Sequence, residues 1–167
     1  ALDIILKALA SVKGAPIKNL AEVAALAHRI GHGGSLYRGP VVIDQKVIDE
    51  IRRLIPLMPL HHPAMLAGIE ACQKALPDVP HVAVFDTAFH ADMPDNAYTY
   101  ALPAIICEKA QIRRYGFHGT NHKFVALSAA TFLKRPLAEL KIISCHLGSG
   151  ASVCAVSRGK SVDTSMG

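Results

Sequence analysis

Short apolar runs that end in polar residues recur along this chain, and that pattern constrains its fold more than any other feature. Val41-Val42-Ile43, Val82-Ala83-Val84-Phe85, residues 141–146 and residues 151–157 are such runs. Each is too short for a stable helix and carries the branched residues that favour buried strands. Segments with helical spacing lie between them. Leu2, Ile5, Leu6 and Leu9 share one helical face, and Val47, Ile48, Ile51, Leu54 and Ile55 mark a helix over residues 44–55 that Asp44 can cap. Strands that alternate with helices define an α/β chain. Composition agrees: 51% of residues are hydrophobic, only 5% are aromatic and Trp is absent. The core must then be mostly Ala, Val, Ile and Leu, as in buried sheets.

The remaining elements follow from local signals. Gly14-Ala15-Pro16 ends the first helix, and Leu20, Val23, Ala24 and Ala27 suggest a second short one. Ile30-Gly31-His32-Gly33-Gly34 reads as a strand end running into a loop, because three glycines there oppose a helix. Pro56 and Pro59 stop the helix begun at Asp44, Leu60-His61-His62-Pro63 is a polar loop, and residues 64–75 form another helix. Residues 88–103 make a long connection. A strand over 113–117 and a helix over 120–133 follow. The last two strands are joined to residues 161–164 by a hairpin at Arg158-Gly159. No internal repeat and no low-complexity segment is present.

Charge narrows the partners. Eighteen basic and 13 acidic residues give a net charge of +5, spread along the chain. No dense Lys/Arg run interleaved with aromatic residues marks a nucleic-acid arm, whereas an anionic small molecule suits this balance. No segment reads as a signal peptide or a membrane span. Cys72, Cys107, Cys145 and Cys154 form no C-x-x-C pair. Cys145 and Cys154 lie in apolar runs and read as buried free thiols, which points to the cytoplasm. A helical pattern is already under way at the first residues, and the chain ends just after a strand-like run, as expected of an internal fragment.

Five spots at strand ends carry polar side chains, and in open α/β sheets ligands bind there. His28-Arg29-Ile30-Gly31-His32-Gly33-Gly34 sets an Arg fork beside close-approaching backbone, though a surface Arg beside a turn looks the same. Asp86, after Val84-Phe85, can hold a metal-bound water or orient a nucleophile, or merely cap a turn. His118 stands at a helix start, where anions are favoured, although Thr120 as an ordinary N-cap would explain the same residues. Cys145-His146-Leu147-Gly148-Ser149-Gly150-Ala151-Ser152 is a Gly-rich turn that can cradle phosphates. It lacks the Lys and the following helix of a Walker loop, so a plain hairpin turn is its better local reading. Leu60-His61-His62-Pro63 says little by itself. His28/His32 and His118/His122 are each four apart, yet the first pair straddles glycines and no H-E-x-x-H occurs. A zinc site is therefore disfavoured. By the residues alone the chain is an α/β protein with an anion-friendly cleft.

Taken together and in order, the stretches resemble the acetate kinase family. The resemblance rests on His28-Arg29, His32-Gly33-Gly34, Pro59-Leu60-His61, Phe85-Asp86-Thr87-Ala88-Phe89-His90, the segment from Tyr98 to Pro103, Arg114-Tyr115-Gly116-Phe117-His118-Gly119-Thr120, Cys145-His146-Leu147-Gly148, and Gly159 through Gly167. It covers nearly all of the chain from residue 28 onward.

The resemblance implies a two-domain fold of the sugar kinase, heat-shock 70 and actin superfamily (ribonuclease H-like), present only in part. The first domain would close near Thr87 and the second open near Ala88. It implies reversible transfer of the γ-phosphoryl group of ATP to a short-chain carboxylate, giving an acyl phosphate, with Mg²⁺ held mainly outside this chain. Asp86, His118 and Arg29 match the family's catalytic residues. Arg29, Gly31, Leu60 and Phe117 match its substrate-binding positions, and His146, Leu147, Gly148, Ser149 and Gly150 its phosphate-binding loop. A homodimer is also implied. So is a chain inactive by itself, because the family's other phosphate loop, second catalytic Arg and adenosine pocket fall outside these residues. Three positions depart from the family pattern. Gly31 replaces a bulky aliphatic residue, which would widen the acyl pocket toward propionate or larger acids. Ser149 replaces an Asn, and Ser35 a Glu. The rival readings are a propionate or butyrate kinase, a catalytically dead nucleotide-binding or assembly module, and a zinc-dependent hydrolase.

Overall fold

The computed structural model describes residues 2–11 and 14–167. Two compact units emerge, one of Ala1–Ile30 with Val41–Ala83 and one of Gly31–Pro40 with Val84–Gly167. The chain thus leaves the first unit at the glycine-rich loop, returns at Pro40 and Val41, and leaves again within a strand.

The first unit holds helix α1 (Leu2–Ser11), strand β1 (Leu26–Ile30), strand β2 (Val41–Val42), helix α2 (Gln45–Arg53), helix α3 (His62–Ala75) and the start of strand β3 (His81–Phe85). The sheet order is β1-β3-β2, with β2 antiparallel to β3. The expected cap of α2 is present: Asp44 Oδ1 accepts from the Val47 amide at 2.8 Å. Val47, Ile48 and Ile51 point inward from α2, and Leu66 and Ile69 from α3. These two helices pack on each other, and α3 also packs on β1.

The second unit continues from the end of β3 into a 3-10 helix (Asp86–His90), then short helix α4 (Asp95–Tyr98), helix α5 (Ala104–Ala110) and helix α6 (Gly119–Leu133). A second sheet follows, with order β4-β5-β6 and antiparallel pairing throughout (β4 Lys141–Leu147, β5 Ala151–Ser157, β6 Lys160–Thr164). Ser157 and Lys160 pair across Arg158 and Gly159, both with positive φ (52° and 82°). That is the geometry a two-residue hairpin needs. Ala126 of α6 meets Cys154 and Val156 of β5 in the core, with Phe89, Leu137 and Ile142 around them.

Four expectations need correction. Residues 20–27 do not form a helix: a 3-10 turn at Leu20–Glu22 gives way to β1, in which His28 and Ile30 are more buried than Ala27 and Arg29. That two-residue alternation is a strand signal. Residues 113–117 are irregular rather than a strand, since Gly116 takes φ 77° and Arg113 lies over the Tyr98 ring at 3.8 Å. The polar loop at 60–63 is shorter than expected, because α3 starts at His62 with Pro63 in its first turn, where its missing N–H costs nothing. Cys145 is exposed, while Cys154 is buried and its thiol pKa is raised, first by burial. Strand alternation explains this: Ser144 faces inward, whereas Ile143, Cys145 and Leu147 face outward. All four thiols are free. Among the described residues no helix is long and apolar enough to cross a membrane.

Candidate active site

The second unit gathers most of the candidate residues at the end of β3 and the start of α6. Asp86 directly follows β3 and is only 1% exposed. Its Oδ1 accepts from the Thr120 hydroxyl at 2.9 Å. Thr120 is therefore not the N-cap of α6. That position belongs to His118, whose side chain makes no capping bond. Gly119 lets the helix start lie directly on Asp86, for a Cβ there would stand 2.0 Å from the Asp86 carbonyl oxygen. Any side chain at 119 would push the two apart.

The glycine loop closes on the same strand end. The Gly33 amide donates to Thr87 Oγ1 at 2.9 Å, and a Cβ on Gly33 would reach the Phe85 ring at 2.9 Å. Gly31 is buried beside it. His32 is 2% exposed, and its Nδ1 accepts from the Gly34 amide at 2.9 Å. Its ring meets Tyr115 and Phe117 edge-on, at 4.4 and 5.6 Å between centroids. Phe117 is thereby fixed next to the loop.

His118 adopts a left-handed backbone, φ 57° and ψ 21°. Among the described residues the other non-glycine ones with positive φ, Gln111, Lys134 and Arg158, sit at helix C-caps or in the hairpin turn, where this conformation is common. At a helix N-cap it is not, and local strain of this kind accompanies functional sites. The ring stacks on His146 at 3.9 Å, and its Nδ1 lies 2.9 Å from Ser152 Oγ. A Cβ on Gly150 would stand 3.2 Å from both Cε1 and Nε2 of His118. The Nε2 edge thus faces the turn Gly148-Ser149-Gly150, which is exposed, as is Leu147. This turn joins β4 to β5 as a hairpin, as its local sequence suggests.

Burial tunes the neighbouring imidazoles. Desolvation lowers the His122 pKa to about 4, with His90, His118 and His146 acting in the same direction. His90 is lowered too, first by burial, against an opposing pull from the Phe117 carbonyl and Asp86. Its Nδ1 lies 2.7 Å from Ser161 Oγ and its Nε2 3.0 Å from the Phe117 carbonyl oxygen. Sequence reasoning gave no role to His90, His122, Ser144, Ser152 or Ser161. Their advance signal is that His90, His122, Ser152 and Ser161 fall inside the motif stretches singled out above, whereas Ser144 does not.

Arg29 and Leu60 belong to the first unit. Arg29 lies on β1 with its surface exposed, and Leu60 is 86% exposed in the turn before α3. Among the described residues no group of three or more His, Cys, Asp or Glu side chains is arranged to hold a metal ion. His118 and His122 converge on one serine instead. Chemically, the second unit offers one buried carboxylate, one imidazole edge and a glycine turn beside it, a set suited to holding an anion.

The fold is of the sugar kinase, heat-shock 70 and actin type, and the comparisons give the family. A family model described as the Acetokinase family matches residues 1–167. The acetate kinases of Caldicellulosiruptor saccharolyticus and Thermotoga maritima are each 54% identical over the whole chain, which spans 42% and 41% of their lengths. The crystal structure of Porphyromonas gingivalis acetate kinase superposes with a TM-score of 0.92 at 43% identity, over 99% of this chain and 42% of that one. A propionate kinase from Francisella tularensis subsp. tularensis gives 0.85 at 46% identity, over 90% and 38%. The chain belongs to the acetokinase family and carries part of its two-domain α/β fold.

Proposed function

We propose that the complete protein transfers the γ-phosphoryl group of ATP to a short-chain carboxylate, reversibly, and that this chain supplies one wall of the site. The supporting observation is that Asp86, His118 and the Gly148–Gly150 turn meet around the start of α6.

The chemistry follows from charge. A carboxylate acceptor is already ionised near pH 7, so no base has to activate it. Phosphoryl transfer needs alignment and donors around three charged oxygens. The His118 imidazole supplies one donor beside the turn, and the turn's backbone N–H groups supply others. Asp86, held by Thr120, keeps the attacking group in line. Arg29 takes the carboxylate or the phosphoryl group in flight, and Leu60 and Phe117 pack the acyl methyl. His146, Leu147, Gly148, Ser149 and Gly150 hold ATP phosphates, with the Ser149 hydroxyl shorter in reach than the family's Asn.

Mg²⁺ suits this arrangement, because it keeps several of its waters and binds chiefly phosphate oxygens, and Asp86 could orient that water shell without ligating the ion. When bound it would neutralise charge on the transferring group. Its main ligands lie outside this chain. The working form is a cytoplasmic homodimer, and the change of domain falls near Thr87 and Ala88.

Gly31 and the propionate kinase relative favour a second reading, in which the acceptor is propionate. Trapping of acyl phosphate as the hydroxamate, with acetate and propionate side by side, tests both readings. The complete protein should give hydroxamate with ATP, and more efficiently from propionate if Gly31 widens the pocket. A strong preference for acetate would remove that second reading. The 167-residue chain alone should give none; acyl phosphate formed by it would overturn the expectation that one wall is insufficient.

A further inference from the structure

Three side chains behind His118 form a continuous hydrogen-bonded chain. Ser144 Oγ lies 3.0 Å from His122 Nδ1, and His122 Nε2 lies 2.8 Å from Ser152 Oγ. Ser152 Oγ lies 2.9 Å from His118 Nδ1. Ser144, His122 and Ser152 are 1%, 0% and 2% exposed. The two links at His122 are buried, so the protons there must be ordered among the groups themselves.

Counting donors leaves two orders in which Ser152 both donates and accepts within this chain. His122 stays neutral near neutral pH because burial lowers its pKa to about 4. It therefore has one N–H and one accepting nitrogen, and each serine has one proton to donate. If Ser144 donates to His122 Nδ1, then His122 Nε2–H donates to Ser152. Ser152 in turn donates to His118 Nδ1, and a neutral His118 carries its proton on Nε2. In the reverse order His118 donates from Nδ1, Ser152 donates to His122 Nε2, and His122 donates to Ser144. An oxygen of a phosphoryl group can only accept. With such a group at the Gly148–Gly150 turn, beside the Nε2 edge of His118, the first order is selected.

Resting on the kinase reading above, we propose that Ser152, backed by His122 and Ser144, is a positioning residue that fixes His118 as the Nε2–H tautomer, with that N–H turned toward the phosphate turn. Ser152 touches neither the acceptor nor ATP. It acts through the imidazole, by orienting the ring and accounting for its second nitrogen, as partners of catalytic histidines do. The stack on His146 and the closeness of Gly150 hold the ring plane, and the serine link sets the proton position within it.

The test uses the complete protein labelled with ¹⁵N-histidine, read by long-range ¹H–¹⁵N spectra at neutral pH, together with steady-state kinetics of Ser152→Ala and Ser144→Ala. In the wild-type protein, bound to a non-hydrolysed ATP analogue, His118 should show an unprotonated Nδ1 and a protonated Nε2. Ser152→Ala should give mixed tautomers and lower kcat by about tenfold, the effect of one lost hydrogen bond on a donor, with KM values moving less than about twofold. Ser144→Ala should do the same more weakly, by about threefold. A protonated Nδ1 in the wild-type complex overturns the proposal, as does an unchanged kcat in a folded Ser152→Ala protein. If Ser152→Ala does not fold, the wild-type spectrum and Ser144→Ala decide. If the complete protein makes no acyl phosphate, the kinase reading fails, and the tautomer in the complex alone decides the serine's role.

Discussion

Each unit buries linked imidazoles, and the two solve the problem differently. In the first, His28 Nε2 lies 2.9 Å from His81 Nδ1 with the rings near-parallel, and His81 Nε2 lies 3.2 Å from the Leu76 carbonyl oxygen. A carbonyl only accepts, so a neutral His81 must donate from Nε2 and accept at Nδ1 from His28. The proton order is frozen by the backbone. In the second unit the same kind of chain ends on hydroxyls, Ser144 and Ser152, which donate or accept. Its order is left to what sits at His118. A carbonyl terminus makes a structural pair, and a hydroxyl terminus makes one that can answer to a ligand.

The largest expected break in that comparison comes from the carboxylate beside the second cluster. Asp86→Ala in the complete protein should lower kcat by about 10²-fold or more, because the attacking group loses its alignment. The matching change in the first unit, His28→Ala, should leave kcat within about twofold. Its cost should appear in stability instead, about 1–3 kcal/mol by urea titration, since it strips His81 Nδ1 of its partner. Equal losses of activity in both variants would erase the distinction between the units.

A smaller effect sharpens the pocket. Gly31→Val should restore bulk and shift the ratio of kcat/KM for propionate over acetate toward acetate by about tenfold, the usual worth of one methylene. An unchanged ratio would mean that position 31 does not face the acyl group.

The smallest effect is on pH. His28 and His122 have pKa values lowered by burial, His122 to about 4. The unfolded chain binds their protons near 6.5 while the folded chain does not, so stability should be intact above that pH and fall as pH drops toward 4. Urea midpoints measured between pH 7 and pH 4 should decline, and less steeply in a folded His28→Ala protein, which lacks one of these groups.

Much of this was legible in the sequence, and the rest was not for particular reasons. Asp44 and the periodic residues after it announced α2, and the Arg158-Gly159 turn announced the β5–β6 hairpin, because caps and turns are local. Only the start of strand β1 is obscured, since Leu20, Val23, Ala24 and Ala27 fit a helical face, whereas its end at Ile30 is legible from the glycines that follow. Helix α4 lies inside the long connection over residues 88–103, and helix α5 lies just after it, where the sequence carries no helical signal beyond Pro103 at its start. Asp86, His118 and the glycine turn could be named as candidates because each stands at an element boundary. The Ser144–His122–Ser152 chain could not. Its members come from α6, β4 and β5, and only the packing of that helix on that sheet brings them together.

Hydroxamate trapping with the complete protein asks whether His118 donates to the transferring phosphoryl group. With ATP and a short-chain carboxylate, the wild-type protein should form hydroxamate, and a folded His118→Ala variant should do so about 10²–10³-fold more slowly, as when one donor to a developing charge is removed. Equal rates for the two proteins would contradict the account.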